Sequence, residues 1–183
     1  MDDLSSHEAD LDFTRHAPAE VAAPRKWPAS AAEVEIGGGA ADADGYHVTI
    51  TRREPKPRAP AGRRIVLIIE DDENVRMALE HYLGADGYAT RTAGTRREIQ
   101  AALQTAPLPD LIFLDVDMPD ADGFDLLEKF TNSKVVGNVP VVMLTARCSH
   151  KDITRGLSLG AAGYITKPAK MTVISDALRA LVG

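Results

Sequence analysis

Leu111-Ile112-Phe113-Leu114-Asp115-Val116-Asp117-Met118-Pro119 is the stretch on which the fold turns. Four apolar residues run without alternation into an aspartate, and a second acid and a proline follow at once. A short run of this kind suits a strand buried on both faces of a parallel sheet. Pro119 has no N–H to give to a ladder, so the strand ends before it. Asp115 therefore falls where a buried strand meets a loop, at the carboxyl edge of a sheet, and ligands of open α/β sheets bind along that edge. A carboxylate in that place is set for chemistry rather than for solubility.

Working outward, strand-like and helix-like segments alternate from Arg64 to the end of the chain. Ile65 to Ile69 is a second uniform apolar run and reads as the first strand. Asp72 is placed as an N-cap, ahead of Val75, Leu79, Tyr82 and Leu83 on one helical face. Tyr88 to Thr92 is short and partly polar, as an edge strand would be. Thr95 and Glu98 have capping-box spacing before Ile99, Ala102 and Leu103. After the Leu111 strand, Phe124, Leu127 and Phe130 mark a third helix. Val139 to Leu144 is the fourth strand and His150 to Leu159 a weak fourth helix, with Gly156 inside it at a cost of about 1 kcal/mol against alanine. Ala162 to Thr166 is the fifth strand. Val173, Ile174, Ala177, Leu178 and Leu181 stripe the last helix. Five strands alternating with five helices across short connections predict an α/β fold, a doubly wound parallel sheet.

The whole chain has 183 residues, 44% of them hydrophobic, enough for one such domain and an appendage. Residues 1–62 differ in kind from residues 63–183. They hold Ala-Pro pieces, a Gly37-Gly38-Gly39 run and Pro55-Lys56-Pro57, and no sustained apolar period, so they read as a disordered, linker-like extension. Acids dominate up to His47. Val48 to Arg64 is basic, with Arg52, Arg53, Lys56, Arg58, Arg63 and Arg64 against Glu54. One piece departs from the linker reading: Tyr46, Val48 and Ile50 alternate with polar residues, a strand-like period able to join a sheet edge here or on a partner. The formal net charge of −6 argues against nucleic-acid binding. A single cysteine, Cys148, allows no intrachain disulfide. No signal-like or membrane-spanning run is present, which predicts a cytoplasmic protein without membrane insertion.

The strand ends carry the polar groups. Strand one ends in Glu70-Asp71-Asp72, strand three at Asp115, strand four at Thr145 and strand five at Lys167-Pro168. In a parallel sheet these ends share one edge. Carboxylates gathered there repel by about 4 kcal/mol per pair at roughly 4 Å and an effective dielectric near 20. Protonation or a cation relieves that, and a few hard oxygen ligands suit Mg²⁺. Lys167 and the Thr145 hydroxyl complete the parts for phosphoryl transfer to a carboxylate. Taken singly, each has a plainer reading: Asp72 and Glu73 as helix caps, Thr145 as a strand-end hydroxyl, Lys167 as a surface charge, Tyr164 as core.

Ile-Glu-Asp-Asp at 69–72, Leu-Asp-Val-Asp-Met-Pro at 114–119, Leu-Thr-Ala at 144–146 and Gly-Tyr-Ile-Thr-Lys-Pro at 163–168 together give residues 64–183 a clear likeness. In order and spacing the chain resembles the receiver domains of two-component response regulators, the CheY-like family. The resemblance implies a flavodoxin-like sheet of strand order 2-1-3-4-5. It implies Asp115 as phosphoacceptor; Mg²⁺ held by Asp71, Asp115 and the backbone carbonyl of Asp117, and by Glu70 mainly through water; and Thr145 and Lys167 reading the phosphoryl group. Tyr164 would change rotamer with Thr145, and Lys167-Pro168 would be cis. The partner implied is a sensor histidine kinase or a histidine phosphotransfer protein. The fourth helix, fifth strand and fifth helix would carry the signal to a downstream protein, by binding or by phosphorylation-dependent dimerisation.

The last helical stripe runs to the end of the sequence, which predicts a stand-alone regulator with no DNA-binding output, or else a relay intermediate or the receiver piece of a hybrid kinase system. The only chemistry expected is self-phosphorylation and autodephosphorylation. Asp117 and Arg147 depart from the commonest family pattern; pairing across the mouth of the pocket, they would gate the hydrolytic water. The Asp115-x-Asp117 spacing also echoes haloacid dehalogenase-type phosphatases, but in that family the acid pair follows the lysine. A degenerate receiver used only for docking, or an FMN-binding fold, fits the residues less well.

Overall fold

A computed structural model describes residues 33–35, 48–51 and 62–183. Five parallel strands form its centre: β3 (Ile65–Ile69), β4 (Ala89–Ala93), β5 (Leu111–Leu114), β8 (Val141–Thr145) and β9 (Gly163–Thr166). Their spatial order, β4-β3-β5-β8-β9, is the expected 2-1-3-4-5. Alternate residues leave each strand toward opposite faces. Leu67, Ile69, Ile112, Leu114, Met143 and Tyr164 build one apolar layer, while Val66, Ile68, Phe113, Val142, Leu144 and Ile165 build the other. Both faces are covered, which is why these strands read as continuous apolar runs.

Among the described residues, five helices provide the cover. Helices α2 (Arg96–Gln104), α3 (Gly123–Asn132) and α4 (His150–Ser158) pack on the first layer; α1 (Glu73–Ala85) and α5 (Met171–Val182) pack on the second. Their starts are set locally. Asp72 accepts from the N–H groups of Asn74 and Val75, Asp122 from Phe124 and Asp125, and Ser149 from Asp152. The Thr95 side chain accepts from Glu98 N–H as its spacing predicts, but the Glu98 carboxylate returns to Gly94 N–H at 2.6 Å rather than to Thr95. The fourth strand begins at Val141, two residues later than predicted. Pro140 stays outside it, and its carbonyl accepts from Ile112 N–H. A two-stranded hairpin, β6 (Asp117–Met118) with β7 (Ala121–Asp122), follows the Asp115 strand.

The sheet is larger than the sequence predicts. Two short antiparallel strands, β1 (Glu33–Glu35) and β2 (Val48–Thr51), extend it beyond β9 to seven strands in the order β1-β2-β9-β8-β5-β3-β4. The linker reading therefore fails for Glu33–Glu35 and Val48–Thr51. Val48 and Ile50, 5% and 2% exposed, sit in the layer beneath α5, and β9 gains a partner for its outer edge. Tyr46 and most of the extension lie outside the described residues.

Candidate functional site

Register brings the polar strand ends together. Ile69 lies opposite Leu114, Leu114 opposite Met143 and Thr145 opposite Thr166. Just beyond, Asp115 N–H donates to Ile69 O at 2.9 Å, Glu70 N–H to Ala93 O at 3.0 Å, and Lys167 N–H to Thr145 O at 2.8 Å. Glu70, Asp115, Thr145 and Lys167 thus stand on backbone that is fixed by main-chain hydrogen bonds, with Asp71 next to Glu70. The Lys167-Pro168 bond is cis.

Three carboxylates and one ammonium converge here. One oxygen each from Glu70, Asp71 and Asp115 lie within 4.8 Å of one another. Lys167 Nζ is 2.5 Å from Glu70 Oε2 and 3.0 Å from Asp115 Oδ2. The other Asp115 oxygen, Oδ1, accepts from Val116 N–H at 2.6 Å and from Asp117 N–H at 3.4 Å. Burial raises the Glu70 carboxyl above its ordinary value and the charges of Asp115 and Asp71 add to that, while Lys167 pulls it down. Burial works against the Lys167 charge, but the Glu70 hydrogen bond and the two neighbouring carboxylates outweigh it and raise the ammonium pKa. Lys167 is thus a fixed cation. It balances one of the three acids, and the remaining hard oxygen donors match a divalent ion in charge and in kind.

Other residues hold this cluster in place, and the sequence reading did not single them out. Arg76, on α1, donates from Nη1 to Glu70 O at 2.8 Å and to Asp71 O at 3.1 Å, pinning the acidic loop by its backbone. Gly123 brings the start of α3 against the phosphoacceptor candidate; a Cβ there would lie 2.3 Å from Asp115 O. Its N–H donates to Val116 O at 3.0 Å. The proximity of Gly123 to Asp115 along the chain was visible, but only the tertiary fold shows that one backbone rests on the other.

The flank of the site is built on Arg147. Its side chain grips Asp117 Oδ1 from Nε at 2.8 Å and from Nη2 at 2.7 Å, the pairing expected across the pocket mouth. That hydrogen bond raises the Arg147 pKa further. The Asp117 carboxylate is thereby engaged with Arg147, while its backbone N–H faces Asp115. Arg147 N–H donates to Thr145 Oγ1 at 3.3 Å, and Arg147 O accepts from the Tyr164 hydroxyl at 2.9 Å. One residue therefore touches Thr145, Tyr164 and Asp117. A cleft of about 330 Å³ opens beside it, bordered by Asp117, Pro119 and Asp122.

Tyr164 is fully buried, and burial raises its phenol pKa. Its ring explains Gly156: a Cβ there would lie 2.9 Å from Tyr164 Cδ2, so the glycine lets α4 close over the ring. The weak helix of the sequence reading is a close approach in the structure.

The family profile described as response regulator receiver domain matches residues 66–179. Among curated proteins, the transcriptional regulatory protein PmrA of Pectobacterium parmentieri is 37% identical over 117 residues, which are 64% of this chain and 51% of that protein. The response regulator PleD of Caulobacter vibrioides is 36% identical over 117 residues, 63% of this chain and 25% of that protein. The chain thus spans about half the length, or less, of the curated relatives it matches. Among solved structures, the chemotaxis protein CheY4 of Vibrio cholerae superposes with a TM-score of 0.61 at 29% identity, over 66% of this chain and 100% of that one. The non-phosphorylated HemR receiver domain of Leptospira biflexa gives 0.58 at 32% identity, over 64% of this chain and 92% of that one.

Proposed function

The chain belongs to the response regulator receiver family of two-component systems, and from that membership we propose that Asp115 accepts a phosphoryl group from the phosphohistidine of a sensor kinase or of a phosphotransfer protein. The observation that carries this reading is the convergence of Glu70, Asp71 and Asp115 around a single Lys167 ammonium at the carboxyl edge of the sheet. In the transfer, a carboxylate oxygen of Asp115 forms a P–O bond as the P–N bond of the donor breaks, and the donor imidazole leaves with the bonding pair. Lys167, held charged by its two carboxylate partners, offsets charge on the transferred oxygens. Thr145 accepts from Arg147 N–H on one lone pair, and its O–H proton can be given to a phosphoryl oxygen.

Glu70, Asp71 and Asp115, with the Asp117 carbonyl, are the residues that would hold Mg²⁺, which supplies charge neutralisation between nucleophile and phosphoryl group. We read the chemistry as confined to this one self-modification and its hydrolysis, with no turnover of other phosphoesters. Asp117 and Arg147, paired at the rim, set how readily water reaches the acyl phosphate.

Output follows from the contacts of Arg147. Engaging the Thr145 proton alters the 145–147 loop, which also holds the Tyr164 hydroxyl, and Tyr164 underlies α4 at Gly156. The α4-β9-α5 face then redistributes between two populations that a downstream protein distinguishes. We read the chain as a regulator acting through that face from the cytoplasm; a relay role would appear as movement of label from Asp115 to a histidine phosphotransfer protein. Incubation with radiolabelled acetyl phosphate tests the primary reading. Parent protein with Mg²⁺ is expected to take up label, and chelation or D115N to abolish it.

A further inference from the structure

The edge of β9 is already taken by this chain's own extension. β2 pairs antiparallel with it, Val48 opposite Ile165, Thr49 opposite Tyr164 and Ile50 opposite Gly163. The contact is apolar as well as backbone-mediated. Val48 and Ile50 lie in the layer that also holds Ile165, Ile174 and Leu178, on the α5 side. Thr49 falls on the opposite side, the α4 side, as the direct cross-strand neighbour of Tyr164. Gly163 makes room for the strand: a Cβ there would sit 3.2 Å from Thr49 O and 3.5 Å from Ile50 Cγ1. β2 therefore covers the strand between α4 and α5.

We propose that β2 is a cap acting in cis, a strand of the N-terminal extension that occupies the β9 edge and must leave before a partner strand can pair there. The connection permits it. β2 runs antiparallel to β9, so Thr51 lies toward the amino edge of the parallel sheet, the edge where β3 begins. The chain from Thr51 to Ile65 can reach about 45 Å at full extension. Four strand spacings of about 4.8 Å separate β2 from β3. Release and return of the strand thus need no threading past the sheet, and as an intramolecular ligand it competes at high effective concentration with any outside strand. An uncapped β9 would offer unpaired backbone groups for β-strand addition by another chain. If the α4-β9-α5 face carries the phosphorylation signal, as proposed above, the cap and the phosphoryl state are coupled, and the coupling is reciprocal.

Amide hydrogen exchange on the full chain tests this. Val48–Thr51 and Gly163–Thr166 are expected to be protected together in the parent. In I50D the Val48–Thr51 amides and the β9 amides that face β2 should lose protection by about tenfold or more, while the β9 amides paired with β8 and the exchange of β3 and β5 stay unchanged. T49P, which breaks the strand without burying a charge, should do the same. Unprotected Val48–Thr51 in the parent, or a β9 edge indifferent to both variants, would overturn the cap. Beryllium fluoride with Mg²⁺ then reads the coupling: it should speed exchange of Val48–Thr51 about fivefold, and I50D should bind beryllium fluoride tighter by the same factor. No change in either would overturn the coupling. Failure of the parent to bind beryllium fluoride at all would instead count against the reading of Asp115, and the comparison of parent with I50D would still decide the cap.

Discussion

The carboxyl edge of the sheet and its β2 flank are both additions to the same parallel core, but they are held by different forces. At the carboxyl edge, Glu70, Asp71, Asp115 and Lys167 are fixed by charge and by backbone hydrogen bonds between central strands. At the flank, Val48–Thr51 is held to the parallel core by two buried apolar side chains and one ladder to β9, with β1 paired on its outer side. Disturbing the first strains the core itself. Disturbing the second can cost no more than it takes to detach β2 together with β1, which among the described residues pairs only with it. A tightly held chemical centre and a separable cover are what a domain needs if it is to bind a group at one place and be read at another.

The largest expected effect lies at the carboxyl edge. Gly123→Val pushes a branched side chain into the backbone of Asp115 and Val116, a clash no rotamer avoids. We expect a loss of about 3 kcal/mol or more in urea unfolding, at the upper end for overpacking. A loss below 1 kcal/mol would show that α3 can shift away from Asp115.

Lys167→Ala should come next, and its size should depend on metal. Without the ammonium, Glu70 and Asp115 are buried beside Asp71 with no balancing charge. A destabilisation of about 2–3 kcal/mol is expected in chelator, most of it recovered in millimolar Mg²⁺, because an ion bound only by the folded state stabilises it. A loss equal in both conditions would mean that the lysine stem rather than its charge matters.

On the flank, Ile50→Ala should cost about 1–2 kcal/mol at most, below the usual range for so buried a residue. I50D should cost little more than that, because once β2 leaves, further damage to it has no effect on the core. Larger and still increasing losses would make β2 part of the core and erase the distinction between the two regions. The smallest stability effect belongs to the exposed rim pair. Asp117→Ala and Arg147→Ala should each change stability by less than about 1 kcal/mol and change the lifetime of phospho-Asp115 several-fold; unchanged lifetimes in both variants would remove the pair from the hydrolytic step.

What could be read from the sequence follows the same division. The strand ends were legible because uniform apolar runs stop at acidic, hydroxyl and basic residues, and a parallel sheet must align those ends. Asp115, Thr145 and Lys167 could therefore be put at one sheet edge with no coordinates, and that is where their strands end. Arg76 and Gly123 could not be placed in this way, since each acts on the backbone of a residue to which its side-chain chemistry gives no pointer. Gly156 was read through helix propensity, whereas the Tyr164 ring beneath it is what requires the glycine. Val48 and Ile50 showed their alternation plainly, but four residues between Pro- and Gly-rich pieces carry little weight until β9 is seen to need a neighbour. Apolar pairing at a sheet edge depends on who is adjacent, and adjacency is not local in the chain.

The most direct test of the central claim is to find where the phosphoryl group goes. Acetyl phosphate and Mg²⁺ followed by borohydride reduction should convert a single aspartate, and peptide mapping should place it at Asp115 and nowhere else. Reduction at Asp71, at Asp117 or at no residue would contradict the account.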